Sequence, residues 1–213
     1  MIQLTRSGLR VSSPDEVGRL AETFARCHAV RLPQFLEPAL LDTVSRAVAA
    51  SRFAERIHDE LDPPAVDLRL DDMATHGRLL VLFNDAGLFR VIDSVTGCGP
   101  IGVFQGTVYR IVPGLHSLDS WHDDLGHTRL VGLTLNLSPD GYAGGVLQIR
   151  TTNPPTLVHE VANTGFGDVV VFRLASGFEH RVTAVEPGPV KIAWAGWFRR
   201  EPSFLDVLHG QSS

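Results

Sequence analysis

The residues best suited to chemistry are His122 and Asp124, within the run Trp121-His122-Asp123-Asp124. In an extended segment, side chains two residues apart project from the same face. His122 and Asp124 could then bind one cation together, while Asp123 points to the opposite face. A neutral imidazole and a carboxylate suit a divalent metal such as Fe(II) or Mn(II). The spacing therefore predicts part of a metal site, with a surface or turn-capping pair as the alternative interpretation.

A third ligand should come from a strand that is distant in sequence and adjacent in space. His180 fits this requirement, because it follows the apolar run Gly167–Arg173 and a short connection and opens the next predicted strand, Arg181–Val185. With His122 and Asp124 it would complete a 2-His-1-carboxylate triad, which leaves open coordination positions on iron. A strand-end histidine bonded to the backbone is the alternative for His180.

Other histidines are weaker candidates for the same metal. The chain has nine histidines, and His116, His127 and His159 lack a carboxylate two residues away. On a strand, the odd spacing between His122 and His127 would place the two side chains on opposite faces. We therefore expect His122, Asp124 and His180 to be the ligands.

Composition restricts the class of protein before any fold is considered. The 213 residues include 44% hydrophobic and 20% charged residues, which is enough apolar material for one domain with a sizeable core. A net charge of −5 argues against nucleic acid as the main partner. No apolar run approaches the ~20 residues of a membrane span, and the first residues lack the apolar stretch of a signal peptide. We expect a single cytoplasmic domain without a membrane partner.

The first hundred residues carry helix signals. Ser13-Pro14-Asp15-Glu16 is a capping box with proline at the first helical position. Two further helices are predicted after Glu37-Pro38 and from Asp85 towards Gly97. The polar, acidic stretch Ala54–Gly77 contains Pro63-Pro64 and is predicted to be a mostly irregular, mobile loop, and a lid over the site is one role for it.

From Ile101 the pattern changes to short runs rich in valine, isoleucine, leucine and threonine, separated by turn residues. Seven strands are predicted, at Val103–Val112, Thr128–Leu137, Gly145–Arg150, Thr156–Val161, Asp168–Arg173, Arg181–Val185 and Val190–Phe198. Many short strands at close spacing are typical of an antiparallel sandwich or barrel. The sequence therefore predicts a mainly β (α+β) domain over 1–213: a helical part at 1–100, a β core at 101–198 and a tail at 199–213.

Six motifs in this order give the chain a resemblance to a known family. They are Trp121–Asp124, Leu133–Leu137, Gly144–Leu147, Gly167–Phe172, His180–Val182 and Val190–Phe198. The order resembles that of the Fe(II)/2-oxoglutarate-dependent oxygenases, and the prolyl-hydroxylase-like branch is the most similar. The resemblance implies a double-stranded β-helix (jelly roll) core buttressed by helices. Asn136 and Gln148, on two of the strands, are weaker candidates for contact with substrate.

The resemblance also implies a set of cofactors and the residues that bind them. Fe(II) would be held by His122, Asp124 and His180, with 2-oxoglutarate and O2 as cosubstrates and ascorbate as a further candidate cofactor. Relatives bind the far carboxylate of 2-oxoglutarate with an Arg or Lys on the last strand, and that position here is Lys191, the one lysine beside 18 arginines. Tyr109 stands where relatives often carry a tyrosine that hydrogen-bonds the same carboxylate; core packing is its alternative role.

The implied activity is hydroxylation of an unactivated C–H bond, with release of succinate and CO2. The retained Asp124 favours hydroxylation, desaturation or cyclisation over halogenation, because halogenating relatives replace this carboxylate with a small residue. An amino acid, a peptidyl (including prolyl) residue or a small natural product is the expected substrate.

Two other classes of protein remain open from the sequence. A cupin-type metal enzyme that does not use 2-oxoglutarate needs no carboxylate-binding residue at Lys191. A non-catalytic β-sandwich binding module would carry the three metal-ligand residues by accident and would bind no stoichiometric iron.

Overall fold

A computed structural model describes residues 1–58, 65–113, 120–126, 128–163 and 165–205 of the chain. Within these ranges four helices cover one face of a seven-stranded sheet, and a three-stranded sheet faces its other side. No helix of the described part is long and apolar enough to cross a bilayer.

The helices begin where the sequence signals indicate. Ser13 caps the first helix by accepting a hydrogen bond from the Asp15 N–H, and Pro14 occupies its first turn. Asp85 caps the fourth helix through the Leu88 N–H, and Gly97 ends it in the left-handed conformation. The four helices are α1 (Pro14–Cys27), α2 (Pro38–Ala50), α3 (Met73–Phe83) and α4 (Ala86–Thr96).

Twelve strands are present in the described residues, including all seven predicted after residue 101, with end points shifted by a few residues. In chain order they are β1 (Ile2–Thr5), β2 (Gly8–Val11), β3 (Ala29–Leu32), β4 (Phe53–His58), β5 (Ala65–Leu70), β6 (Val103–Ile111), β7 (Arg129–Asn136), β8 (Leu147–Thr152), β9 (Pro155–Val161), β10 (Val169–Arg173), β11 (Phe178–Val182) and β12 (Lys191–Arg199).

The two larger sheets form the jelly roll that the sequence predicted. The major sheet has the order β3-β10-β7-β12-β6-β5-β4, and the minor sheet has the order β11-β8-β9. Strands β12, β6 and β7 pair antiparallel over most of their length. Alternate residues of these central strands therefore face the helices or the space between the sheets.

The helices bury the outer face of the major sheet. Trp194, Phe104 and Phe198 are fully buried in the cluster that joins this face to α1–α4. A smaller cluster, which includes Val170 and Phe172 of β10 and Ile149 of β8, lies between the two sheets. The large core thus stabilises one side of the sheet and leaves the space between the sheets free for a cavity.

The interpretation of Ala54–Gly77 as an irregular loop is wrong for the residues that the structure describes. Strands β4 and β5 pair over six positions and extend the major sheet beyond β6, and α3 begins at Met73. The acidic residues concealed the alternation of Leu68 and Leu70, on the helix side, with Asp67 and Arg69 on the other face. Residues 59–64, including Pro63-Pro64, lie outside the described residues.

Candidate metal centre

His122 and His180 lie next to each other because their backbones pair. The His122 N–H donates to the His180 carbonyl at 3.0 Å, and the His180 N–H donates to the His122 carbonyl at 2.8 Å. This bridge adds the segment around His122 to the free edge of β11. The two imidazole rings lie 4.4 Å apart, centroid to centroid.

Asp124 completes the cluster. Its Oδ2 lies 3.7 Å from Nε2 of His122 and 3.4 Å from Nε2 of His180. One ligand atom from each of the three residues lies within 4.8 Å of the others. Two imidazole nitrogens and a carboxylate oxygen that converge in this way fit a divalent ion such as Fe(II).

The expected extended conformation from His122 to Asp124 is wrong at Asp124, which has a φ of 53°. Aspartate tolerates this left-handed region better than most residues. Two side chains hold its carboxylate: Arg129 Nη1 donates to Oδ1 at 3.1 Å, and Trp197 Nε1 donates to Oδ2 at 3.0 Å. The Arg129 guanidinium also stacks on the Trp197 ring at 3.8 Å. A turn fixed by these contacts, rather than strand alternation, therefore brings Asp124 to the histidines.

The protonation states of the three side chains suit metal binding. The Nδ1 of His122 lies 2.8 Å from the Ser120 carbonyl, so Nδ1 carries the proton and Nε2 is free to coordinate. Burial lowers the pKa of His180 and keeps its imidazole neutral. Burial alone would raise the pKa of Asp124, but its contacts with His180, His122 and Trp197 lower it, so the carboxylate stays charged.

A cavity of about 320 Å³ opens beside the three side chains, between the two sheets. Most of its wall is apolar, with Leu147, Phe172 and Val182 among the contributors. Its polar and charged residues are Asp67, Arg69, Tyr109, His122, Asp124, Thr134, His180, Thr183 and Lys191. The cavity is large enough for small organic molecules next to the metal site.

Lys191 lies in the wall of this cavity with 5% of its surface exposed. Its Nζ donates to the Gly145 carbonyl at 2.8 Å and lies 5.5 Å from the centre of the Tyr142 ring. Among the described residues, no carboxylate lies within ion-pair distance of this ammonium group. Burial therefore lowers the pKa of Lys191 to about 8. Gly145 has a φ of +61°, and a Cβ there would lie 3.0 Å from Lys191 Cδ, so a side chain at this position would strain the backbone and press against Lys191.

Tyr109 shares the cavity face with Lys191. Strands β6 and β12 pair Tyr109 with Ala193 and Ile111 with Lys191, so Tyr109 and Lys191 are diagonal neighbours. Burial raises the pKa of Tyr109, so its hydroxyl stays protonated and can donate a hydrogen bond.

Residues 106–199, which carry all three candidate metal ligands and Lys191, match the family model of the 2OG-Fe(II) oxygenase superfamily. The match covers less than half of the chain, so it shows a similarity to that superfamily over this segment. The resemblance inferred from the motif order is thereby confirmed. Members of the superfamily use Fe(II), 2-oxoglutarate and O2, and the His-Asp-His cluster of this chain fits the iron.

Solved structures share the fold of this chain at low sequence identity. An oxidoreductase of the 2OG-Fe(II) oxygenase family from Burkholderia pseudomallei is 16% identical, covers 95% of this chain and 98% of its own, and superposes with a TM-score of 0.64. A prolyl-4-hydroxylase from Pseudomonas putida is 18% identical. The match covers 87% of this chain and 99% of the hydroxylase chain, with a TM-score of 0.64. An alpha ketoglutarate dependent carbocyclase from nogalamycin biosynthesis is 13% identical. The match covers 92% of this chain and 90% of the carbocyclase chain, with a TM-score of 0.60. No curated protein sequence matches the chain.

Sequence reasoning missed four residues that hold Asp124 or line the cavity. Arg129 and Trp197 hold Asp124, and Asp67 and Arg69 lie in the wall. Trp197 follows Lys191 by six positions and so lies on the same face of β12. Asp67 and Arg69 were missed because their strand was interpreted as a loop.

The weaker candidates lie elsewhere. Asn136 is fully buried and bonds the Gly165 carbonyl and the Ser138 N–H. Gln148 bonds Glu160 and Arg181, and neither Asn136 nor Gln148 lines the cavity. The Trp121 ring lies near the Arg150 and Arg181 guanidiniums at 4.2 and 4.7 Å and is also outside the cavity wall. His116 and His127 lie outside the described residues.

Proposed function

We propose that the protein is a 2-oxoglutarate-dependent hydroxylase in which His122, Asp124 and His180 bind Fe(II) and Lys191 binds 2-oxoglutarate. The hydroxylated atom is an unactivated carbon of an amino acid, a peptidyl residue such as proline, or a small natural product. Two structural neighbours support this range: a prolyl hydroxylase from Trichoplax adhaerens was solved with a peptide fragment, and the carbocyclase belongs to a natural-product pathway.

The observation that carries the proposal is the buried ammonium group of Lys191. Desolvation of a charge is costly unless an opposite charge compensates it. A carboxylate of 2-oxoglutarate that enters the cavity would supply that charge, and the hydroxyl of Tyr109 could donate a second hydrogen bond to it. The cupin alternative gives the buried lysine no ligand.

When bound, Fe(II) and 2-oxoglutarate would supply the oxidation with O2, which would yield succinate, CO2 and the hydroxylated substrate. The protein supplies position and environment. Arg129 and Trp197 keep the Asp124 carboxylate directed at the two imidazoles. The apolar wall limits the water that reaches the site.

Calorimetric titration of 2-oxoglutarate into the Fe(II)-loaded protein without O2 tests the assignment of Lys191. Lys191→Met keeps the length of the side chain and removes its charge, so we expect about 10- to 100-fold weaker binding in a protein that still folds. Lys191→Arg should retain more of the affinity. Equal affinity in wild-type protein and Lys191→Met would refute the role of Lys191. Binding of iron without any binding of 2-oxoglutarate would favour the cupin alternative.

A further inference from the structure

Two charged residues of the cavity wall are given no role by the proposed function. Asp67 and Arg69 lie on β5, in the hairpin that extends the major sheet. Because they are two residues apart, both side chains project from the same face of the strand. The pairing of Arg69 with Tyr109 of β6 shows that this face lines the cavity.

The guanidinium of Arg69 is held in a fixed position. Its Nε donates to both carboxylate oxygens of Asp67 at 3.0 and 3.1 Å, and its Nη2 donates to Oδ2 at 2.8 Å. The same group lies over the Tyr109 ring at 5.2 Å. An arginine with so many contacts loses little conformational entropy when it binds a ligand.

Arg69 still has donors to offer. Its Nη1 makes no hydrogen bond to any described residue, and 30% of the side chain is exposed, against 11% for Asp67. The ion pair therefore occupies one edge of the guanidinium and leaves the rest accessible to a molecule in the cavity. Guanidinium groups bind carboxylates with paired, charge-assisted hydrogen bonds.

We propose that Arg69 binds the carboxylate of the substrate and that this substrate is a free amino acid, one of the classes named in the proposed function. The inference rests on the proposed function, because it takes the metal and 2-oxoglutarate as already bound at the other charged residues. Asp67 then acts as a positioning residue, which holds the guanidinium over Tyr109. A small substrate is consistent with a cavity of about 320 Å³ that must also contain 2-oxoglutarate.

The neighbouring charges favour a carboxylate over other anions. A phosphate group carries nearly two negative charges at neutral pH, and Asp67 beside the guanidinium would repel it more strongly than it repels a singly charged carboxylate. An internal residue of a peptide has no free carboxylate at its backbone and would leave the available donors of Arg69 without an anion.

The test compares matched acids and amides in the protein loaded anaerobically with Fe(II) and 2-oxoglutarate. The twenty proteinogenic L-amino acids and their carboxamides are added in turn, and the visible spectrum of the iron complex reports binding. Succinate formation after exposure to air then reports turnover. We expect at least one free acid to perturb the spectrum and stimulate turnover, and its carboxamide to do so far less.

Arg69→Gln should weaken binding of that acid about 10- to 100-fold and leave the affinity for 2-oxoglutarate unchanged. Arg110→Gln is the matched control, because Arg110 follows Tyr109 on β6, belongs to the opposite face and stacks on Phe53 at 4.0 Å. It should bind the acid as the wild type does.

Three results would overturn the inference. They are a complete lack of response to all twenty acids, equal responses to acid and amide, and a loss of 2-oxoglutarate affinity in Arg69→Gln. Each presupposes that the wild type forms its complex with 2-oxoglutarate. If that complex does not form, the proposed function itself is wrong, so the two failures are distinguishable.

Discussion

His122 and His180 are joined by two reciprocal backbone hydrogen bonds. The backbone, rather than a contact between the imidazole rings, therefore holds the two residues next to each other. The bridge lies at the edge of the minor sheet, and β11 continues on one side of it. A pair of metal ligands can therefore be in place before a metal arrives, and removal of one side chain should leave this frame intact.

His122→Ala is expected to abolish tight Fe(II) binding without unfolding the protein. The His122 side chain is 43% exposed, so its loss should change the free energy of unfolding by only about 0.5 kcal/mol. Loss of a ligand should lower Fe(II) affinity by about 100-fold or more. Anaerobic Fe(II) titration and urea denaturation of the same preparation measure the two effects. Unaltered Fe(II) affinity would show that the metal is bound elsewhere.

Trp197→Phe should weaken Fe(II) binding, since it removes the N–H that bonds Asp124 Oδ2 and keeps most of the aromatic surface. Partners that orient metal ligands typically contribute about 10- to 100-fold to metal affinity. Trp121→Phe is the control, because that ring contacts Arg150 and Arg181 outside the cavity wall. A competition titration against a chromophoric chelator gives both affinities. Equal losses in the two variants would argue against a specific role for Trp197.

The affinity for 2-oxoglutarate should fall as the pH rises through 8. Burial lowers the pKa of Lys191 to about 8, so the unliganded protein carries the ammonium below this pH and loses it above. A carboxylate binds the charged form, and binding should therefore weaken by about tenfold per pH unit above 8 and level off below 7. Calorimetric titrations between pH 6.5 and 9 would reveal this trend.

Lys191→Arg provides the control for that pH profile, because a guanidinium stays charged throughout this range. We expect its affinity to be weaker at pH 7 but to lack the decline above pH 8 that wild-type protein shows. The sign for stability is opposite: the unfolded chain holds the proton up to about 10.5, so stability of the unliganded wild type should rise between pH 8 and 10.5. If the affinity for 2-oxoglutarate declined equally steeply above pH 8 in wild-type protein and in Lys191→Arg, the titration would belong to another group.

Asp168→Ala should destabilise the fold, because this buried carboxylate lies just before β10 and links it to β3 and the residues that follow β3. It accepts hydrogen bonds from Arg31 Nε at 2.7 Å and from the Gln34 N–H at 2.8 Å. We expect a loss of about 1–3 kcal/mol in the free energy of unfolding. Asp42→Ala, which removes an exposed pair with Arg46, should cost less than about 0.5 kcal/mol. Urea denaturation of both variants measures the difference, and equal effects would contradict the role of Asp168.

Local signals in the sequence predicted the elements that depend on local interactions. Ser13 and Asp85 mark helix starts because their side chains cap the first turn. Short runs rich in valine, isoleucine, leucine and threonine, bounded by turn residues, predicted β6, β7 and β12, because such side chains suit the partly buried surface of a sheet. His122, Asp124 and His180 could be assigned to one site because the order of the motifs resembles that of a family whose members share one fold.

Other features depend on contacts that sequence spacing does not reveal. Arg129 is next to Asp124 only because a turn with a left-handed aspartate brings them together. The hairpin of β4 and β5 carries charged side chains on its cavity face, and its composition is therefore typical of a loop. Its backbone nevertheless forms the hydrogen bonds of an antiparallel sheet. The role of Arg69 follows from pairing with Tyr109, which is a tertiary relationship.

The central claim is that His122, Asp124 and His180 bind Fe(II) together with 2-oxoglutarate, and one spectroscopic titration tests it most directly. Purified apoprotein is titrated anaerobically with Fe(II) and then with 2-oxoglutarate while visible absorption is recorded. We predict a weak metal-to-ligand charge-transfer band that requires both additions and is absent in Asp124→Ala. A folded wild-type protein that binds no Fe(II), or a band that persists in Asp124→Ala, would contradict the claim.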